Sequence, residues 1–212
     1  MENVKSLKLK AYDHIKNKIF SCCYLPGDFL DEKTLIGEIG ASRTPIREAL
    51  NKIEQENLIQ IISKKGIMVK HITAKNVLDI FQIRETLEPN AILNCSDKID
   101  MGIINEFKRK FLIEQTIPEK LYMLDDEFHK YIVRLYNNEY INRIMKDIYG
   151  QNNRIRILSG QVENCTNYAQ NEHLDIIGLL LCGDFYGASE SLKKHLSLSK
   201  DRTLTMFISN NI

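Results

Sequence analysis

The sequence predicts a mainly α-helical chain in two parts: three helices and a β-hairpin over residues 1–72, then an all-α antiparallel bundle over 77–212. Three observations carry this. Apolar residues recur at helical spacing through most of the 212 residues. The exception, 58–70, is β-branched on either side of a short Ser-Lys-Lys-Gly turn. Charge is also unevenly shared: residues 1–75 carry 13 Lys/Arg against 9 Asp/Glu, and the remainder 16 against 19. A basic front on a mildly acidic remainder fits a nucleic-acid module joined to a second domain.

With 43% apolar and 27% charged residues, the composition is that of a soluble globular protein. The apolar stretch Ile176–Cys182 is far too short to span a bilayer. The N-terminus runs into Lys-studded amphipathic sequence without a signal-peptide core. Five cysteines, odd in number and without CxxC spacing, read as reduced thiols, several of them in apolar surroundings. The expected location is therefore the cytoplasm, with no membrane partner.

Leu7, Ala11, Ile15 and Ile19 form the stripe of a first helix, stopped before Pro26-Gly27. Asp31 is placed to cap a short second helix that carries Leu35 and Ile39 on one face and ends at Gly40. Ser42 is expected to cap a third, with Pro45 in its first turn. There Ile46, Ala49, Leu50 and Ile53 make a buried stripe, while Arg43 and Arg47 lie one turn apart on another face near the N-terminus. Two short helices about a Gly turn, the second presenting N-terminal arginines, make a helix-turn-helix. Arginine suits that place because its fork meets guanine O6 and N7, or a phosphate, in bidentate fashion. The hairpin reads as a wing whose Lys64 and Lys65 meet phosphate, and Gly66 lets backbone approach the duplex. Taken singly, each of these could be a solvated surface charge or a polar turn; their order argues otherwise.

The run Leu25-Pro26-Gly27, then Leu35, then Gly40-Ala41-Ser42-Arg43-Thr44-Pro45-Ile46-Arg47-Glu48-Ala49-Leu50 closely resembles the signature of the GntR family of transcription regulators. The resemblance implies contacts to double-stranded operator DNA from Lys33, Arg43, Thr44, Arg47 and the Gly66 wing tip. Mild departures are Ile36 for the family's alanine, Ala41 for valine and Asn57 for glycine at the end of the third helix.

Residues 73–76 are a short connector, with Thr73 the cap of the next helix. Six bundle helices follow: one marked by Ile80, Ile83, Leu87 and Ala91; one by Ile103, Ile104, Phe107 and Phe111; one from Pro118 through Leu121, Leu124, Phe128 and Ile132; then about 139–159, 167–182 and 184–208. Short loops make neighbours antiparallel.

Asp125 and His129, four apart, project from one face of the third bundle helix, as a metal pair would. His173 and His195 each lie 11 residues from Asp184, in the Cys182-Gly183-Asp184 turn. At ~1.5 Å per residue both stand about 16 Å from that turn, level on antiparallel neighbours. Four ligand-type side chains can therefore converge inside the bundle. The same spacing would also serve a hydrogen-bonded pair with two satisfied core histidines. His14 and His71 read as surface residues.

Ile83-Arg84-Glu85-x-Leu87-Glu88, then Asp125-x-x-Phe128-His129, then Glu172-His173 and His195 resemble the FCD effector domain of the FadR subfamily over most of residues 76–210. That resemblance implies a divalent ion on Asp125, His129, His173 and His195, with open positions for an effector's carboxylate. It also implies that Arg84 meets the effector's acid group; a helical ion pair with Glu88 is the plainer reading. Arg154 and Arg156 are further candidates for the cavity wall, with surface positions as the alternative. Three His and one carboxylate suit Zn²⁺, Ni²⁺, Co²⁺ or Mn²⁺.

The resulting expectation is a homodimeric DNA-binding regulator, not an enzyme, whose operator affinity answers to a small organic acid at the metal site. A regulator answering to metal alone is the first rival. A metalloenzyme is the second, but there is no HExxH or GxSxG, and Asp126 and Glu127 point away from the Asp125–His129 face.

Overall fold

The computed structural model describes residues 2–113, 118–160 and 167–209. Two compact units divide the chain, Met1–Ile72 and Thr73–Ile212.

In the first unit, α1 (Glu2–Phe20) buries Ala11, Ile15 and Ile19 against the apolar faces of α2 (Glu32–Ile39) and α3 (Arg43–Gln55). Asp31 caps α2 by accepting from the Thr34 amide at 2.9 Å, and Gly40 turns the chain at a left-handed φ of 70°. Ser42 holds the cap position of α3, but its side chain makes no capping bond. Pro45 is the reason: it occupies the third helical position and lacks the N–H that a cap hydroxyl most often accepts. Asn57 supplies the left-handed residue after α3, at φ 59°, where its short polar side chain makes that conformation cheaper than for most residues. Ile36, the bulky departure in α2, packs against the core at partial burial.

The hairpin pairs β2 (Ile59–Ile62) with β3 (Gly66–Val69) in register Ile59↔Val69 to Ile62↔Gly66. Lys64 and Gly66 take positive φ at its turn. A two-residue strand not expected from the sequence, β1 (Phe29–Leu30), pairs with the other edge of β3. Two residues are too few to show alternation.

The second unit is helical: α4 (Ala74–Asn94), a 3-10 turn at Ser96–Lys98, α5 (Met101–Ile113), α6 (Pro118–Arg134), α7 (Glu139–Leu158), α8 (Asn167–Leu181) and α9 (Phe185–Ser209). Thr73 caps α4 in a reciprocal box with Asn76, so residues 74–76 of the expected connector are the helix's first turn. α4 packs along α9, and α8 lies against both α9 and α5. Gly183, at φ 77°, makes the α8–α9 turn.

The core runs through Phe107, Phe111, Phe128, Ile132, Ile177, Leu180 and Leu192. Phe128 is fully buried and meets Phe107 edge-on at 5.3 Å between centroids. Ile103 was expected on the α5 stripe but is 41% exposed, because it sits one residue off the Ile104–Phe107–Phe111 line. Among the described cysteines only Cys95 is buried; Cys23 and Cys182 are exposed and Cys22 is intermediate, so fewer are apolar-packed than expected, and Cys165 lies outside the described residues. No helix among the described residues is long and apolar enough to cross a membrane.

Phe128→Ala should cost about 3–5 kcal/mol in urea unfolding. Leu112→Ala, at a 48% exposed position, should stay within about 0.5 kcal/mol.

Candidate metal centre and nucleic-acid interface

Asp125 and His129 on α6, His173 on α8 and His195 on α9 meet in the bundle, all buried, each offering one donor atom within 4.8 Å of every other. The level pairing across the α8–α9 turn holds: the His173 and His195 rings lie 4.4 Å apart. Phe111 stacks on His173 at 5.0 Å, and Phe128 closes the same side edge-on.

Each imidazole is oriented from outside the cluster. His173 Nδ1 donates to the Ala169 carbonyl at 2.6 Å, an interaction that requires the proton on Nδ1. His129 Nδ1 donates to Glu88 Oε2 at 2.5 Å, and His195 Nδ1 to Glu172 Oε2 at 2.7 Å. Each neutral ring is thereby left with a bare Nε2. The Nε2 atoms of His129 and His173 stand only 3.2 Å apart, and Asp125 Oδ1 lies 3.3 Å from the latter. Lone pairs that close repel one another unless a cation lies between them. Two ligands on one ion at ~2.1 Å would be about 3.0–3.4 Å apart at octahedral or tetrahedral angles. The donor set therefore fits a divalent metal, with the outer hydrogen bonds that metal-bound histidines characteristically make.

Burial alone would raise the carboxylates. Against it, Arg156 holds Asp125 well below the usual range, and Arg84, with the hydrogen bond from His129 Nδ1, brings Glu88 to about 2. For Glu172, burial is likewise outweighed by Arg202 and His195, again to about 2. Burial, reinforced by neighbouring histidines, pushes His173 well down and lowers His195.

Arg84 does make the i,i+4 ion pair with Glu88, Nε to Oε1 at 2.7 Å, but as a buried pair, 3% and 0% exposed, rather than on the helix surface. Glu88 thus bridges Arg84 to the metal-ligand candidate His129. Arg156 pairs with Asp125 Oδ2 and lies 4.2 Å over the Tyr122 ring. Arg154 is buried on another face of α7, ~200° round the helix at ~100° per residue. Neither arginine is a surface charge. Asp126 pairs with Lys130, and Glu127 is exposed. Asn152, one turn before Arg156, keeps a buried Oδ1 without a hydrogen-bond partner.

The sequence reading passed over Glu88, Glu172 and Asn152 as functional residues. Glu88 and Glu172 carried a usable signal, since a ligating histidine needs an acceptor on its other nitrogen. Asn152 carried none. His14, expected on the surface, is half-buried against Glu38 at 2.9 Å; His71 is exposed.

In the first unit, Lys33, Thr44, Lys64, Lys65 and Gly66 are exposed, and the Arg43 and Arg47 side chains are 65% and 62% exposed. The α2–turn–α3 pair thus presents cations from the first half of α3, with a basic hairpin tip behind it. A helix-turn-helix with a wing, followed by a helical domain with a buried cluster of candidate metal ligands, is the architecture of a DNA-binding regulator.

Comparison with known proteins agrees. Residues 7–69 match the family described as "Bacterial regulatory proteins, gntR family", and residues 79–198 match the FCD domain. The Nta operon transcriptional regulator of Aminobacter aminovorans is 30% identical over 163 residues, covering 74% of this chain and 75% of that one. The solved GntR transcriptional regulator of Rhodococcus sp. RHA1 has the same fold, at TM-score 0.80 and 17% identity over 94% of this chain and 98% of the other. The Zn²⁺-bound FCD domain of TM0439 overlays 64% of this chain and 96% of its own, at TM-score 0.53 and 23% identity. The chain belongs to the gntR family of bacterial transcription regulators and carries an FCD domain.

All five of these shifts make the unfolded chain the better proton acceptor, so each group adds stability above its unfolded pKa and loses it on acidification. Chelator-treated protein should lose thermal stability first below pH ~6.5, as the histidines of the unfolded chain protonate, and again below about 4.5, as the carboxylates do. A thermal midpoint that rises on acidification through pH 6 would contradict these assignments.

Proposed function

We propose that this regulator binds operator DNA as a homodimer and that a small organic acid, held beside a divalent ion in the FCD domain, controls that binding. The observation that carries the reading is the three bare Nε2 atoms and one carboxylate oxygen converging in a buried cluster, each ring fixed from behind. Asp125, His129, His173 and His195 would hold the ion, which when bound supplies Lewis acidity and open positions for a carboxylate. The nitrogen-rich set suits Zn²⁺, Ni²⁺, Co²⁺ or Mn²⁺, and the zinc in the TM0439 domain favours the first.

Arg84 is the residue proposed to take the effector's acid group. Glu88 occupies its Nε, which leaves the terminal amino groups outside that bond and fixes the guanidinium plane. Arg154, buried, and Arg156, partly buried, add positive charge on α7, and the unpartnered Asn152 Oδ1 suits a donor on the ligand. On the DNA side, Arg43, Thr44 and Arg47 enter the major groove, Lys33 and the wing lysines meet phosphate, and Gly66 lets the wing close on the backbone. Two recognition helices in successive major grooves would read a short pseudo-palindrome. The acid can shift operator affinity only by its differential binding to two states, typically ~1–3 kcal/mol. Such a protein works in the cytoplasm.

Thermal midpoints of metal-loaded and chelator-stripped protein, titrated with a panel of small organic acids, test this. A ligand of the folded state at 100 times its Kd adds about 2.7 kcal/mol. One acid should raise the midpoint only with metal present, and Arg84→Ala and His173→Ala should each abolish the rise. A rise with metal and none with any acid would instead make this a metal-responsive regulator.

A further inference from the structure

Glu32, the first residue of α2, places a carboxylate between the two arginines of α3. Both its oxygens take the Nε–H of Arg47, at 2.9 and 3.3 Å, and Oε2 stands 3.9 Å from Nε of Arg43. The Glu32 side chain is only 26% exposed, against 62% for Arg47, so the anchor is the more constrained partner. Its position in the first turn of α2 also suits a negative charge.

A guanidinium offers two hydrogen-bonding edges. The side edge includes Nε; the end edge carries the two terminal amino groups, whose parallel N–H bonds span guanine O6 and N7. Glu32 engages Arg47 through Nε, and among the described residues the terminal amino groups make no hydrogen bond. The carboxylate therefore does not compete with a guanine for the reading edge. It fixes the plane in which that edge points.

A negative charge beside Lys33, Arg43 and Arg47 has a further effect. It weakens attraction to every phosphate, whatever the sequence, and so subtracts from the non-specific part of binding. That cost is recovered only where an oriented Arg47 meets the right base.

We propose that Glu32 is a specificity-determining positioning residue: it holds Arg47 through Nε, aims its end edge at a guanine and withholds that charge from phosphate. The inference rests on α3 being the DNA-reading helix.

Full-length wild type, Glu32→Gln and Arg47→Ala would each be selected against duplexes carrying a randomised core. Each would then be measured by equilibrium binding, over a range of salt, on the wild-type consensus duplex and on a shuffled duplex. Wild type should select a guanine in each half-site, and Arg47→Ala should lose that preference. Glu32→Gln should keep its thermal midpoint and lose about ten-fold in discrimination at the same base pair. On shuffled DNA it should bind more tightly, with a salt slope steeper by about one phosphate contact. If Glu32→Gln lowers the midpoint, Glu32→Asp keeps the charge at the α2 terminus but falls a methylene short of Arg47, and should still lose discrimination. Wild-type discrimination in these Glu32 variants, or an equal affinity loss on both duplexes, overturns the inference while leaving α3 as the reading helix. A guanine preference that survives in Arg47→Ala overturns the reading of α3 itself.

Discussion

Burying ionisable groups in a helical core is the constraint around which the second unit is arranged. Asp125, three histidines, Glu88 and Arg84 all lie where water cannot solvate them. Each must therefore be neutral or tied to an opposite charge. The chain meets this with a chain of contacts: Arg84 to Glu88, Glu88 to His129, Asp125 to Arg156, and His195 through Glu172 to Arg202. Helix order follows from that requirement as much as from apolar packing. α4 must lie against α6 to bring Glu88 behind His129, and α8 must run level with α9 to bring Glu172 behind His195. Phe111 and Phe128 then wall the cluster from the adjoining core.

Much of this was legible in the sequence because it follows from periodicity. Helical periodicity marked the α-helices but not the 3-10 turn at Ser96–Lys98, and the equal distance of His173 and His195 from Asp184 set them level on neighbouring helices. What stayed hidden was of two kinds. Strand β1 and the exposure of Ile103 depend on one or two residues, too few for a repeat to reveal. The Arg84–Glu88 pair was visible as an i,i+4 spacing, yet spacing does not say whether a pair faces water or core. That depends on the helices packed over it, here α6 and α7. Ser42 failed as a side-chain cap for a local reason that was readable: Pro45, three residues on, has no N–H to offer.

The two units use arginine under opposite conditions, and the carboxylates beside them differ accordingly. Arg84 is buried and permanently charged, so Glu88 is required for the fold; removing one member of such a pair typically costs about 3–5 kcal/mol. Arg47 is exposed, so Glu32 adds little to stability and its value lies in orientation. In both, the carboxylate bonds Nε and leaves the terminal amino groups outside the bond. A guanidinium held this way keeps its bidentate edge for a planar acceptor, guanine in one proposal and an effector's carboxylate in the other.

This geometry also bears on how metal and acid would be coupled in the proposed site. Glu88 bonds Arg84 with one oxygen and His129 with the other, so the proposed acid-binding arginine and a candidate metal ligand share a single carboxylate. Charge drawn from His129 Nε2 makes its Nδ1–H a stronger donor and pulls on Glu88. An acid drawing on Arg84 pulls on the same group from the opposite side. Since the carboxylate is fully buried, solvent cannot buffer either change. Occupancy of one position must then alter the free energy of the other, and by linkage the effect is reciprocal. A surface pair with the same spacing, screened by water and salt, would transmit almost none of it. In the proposed site, burial of Glu88 is thus what would let metal and acid act as one signal.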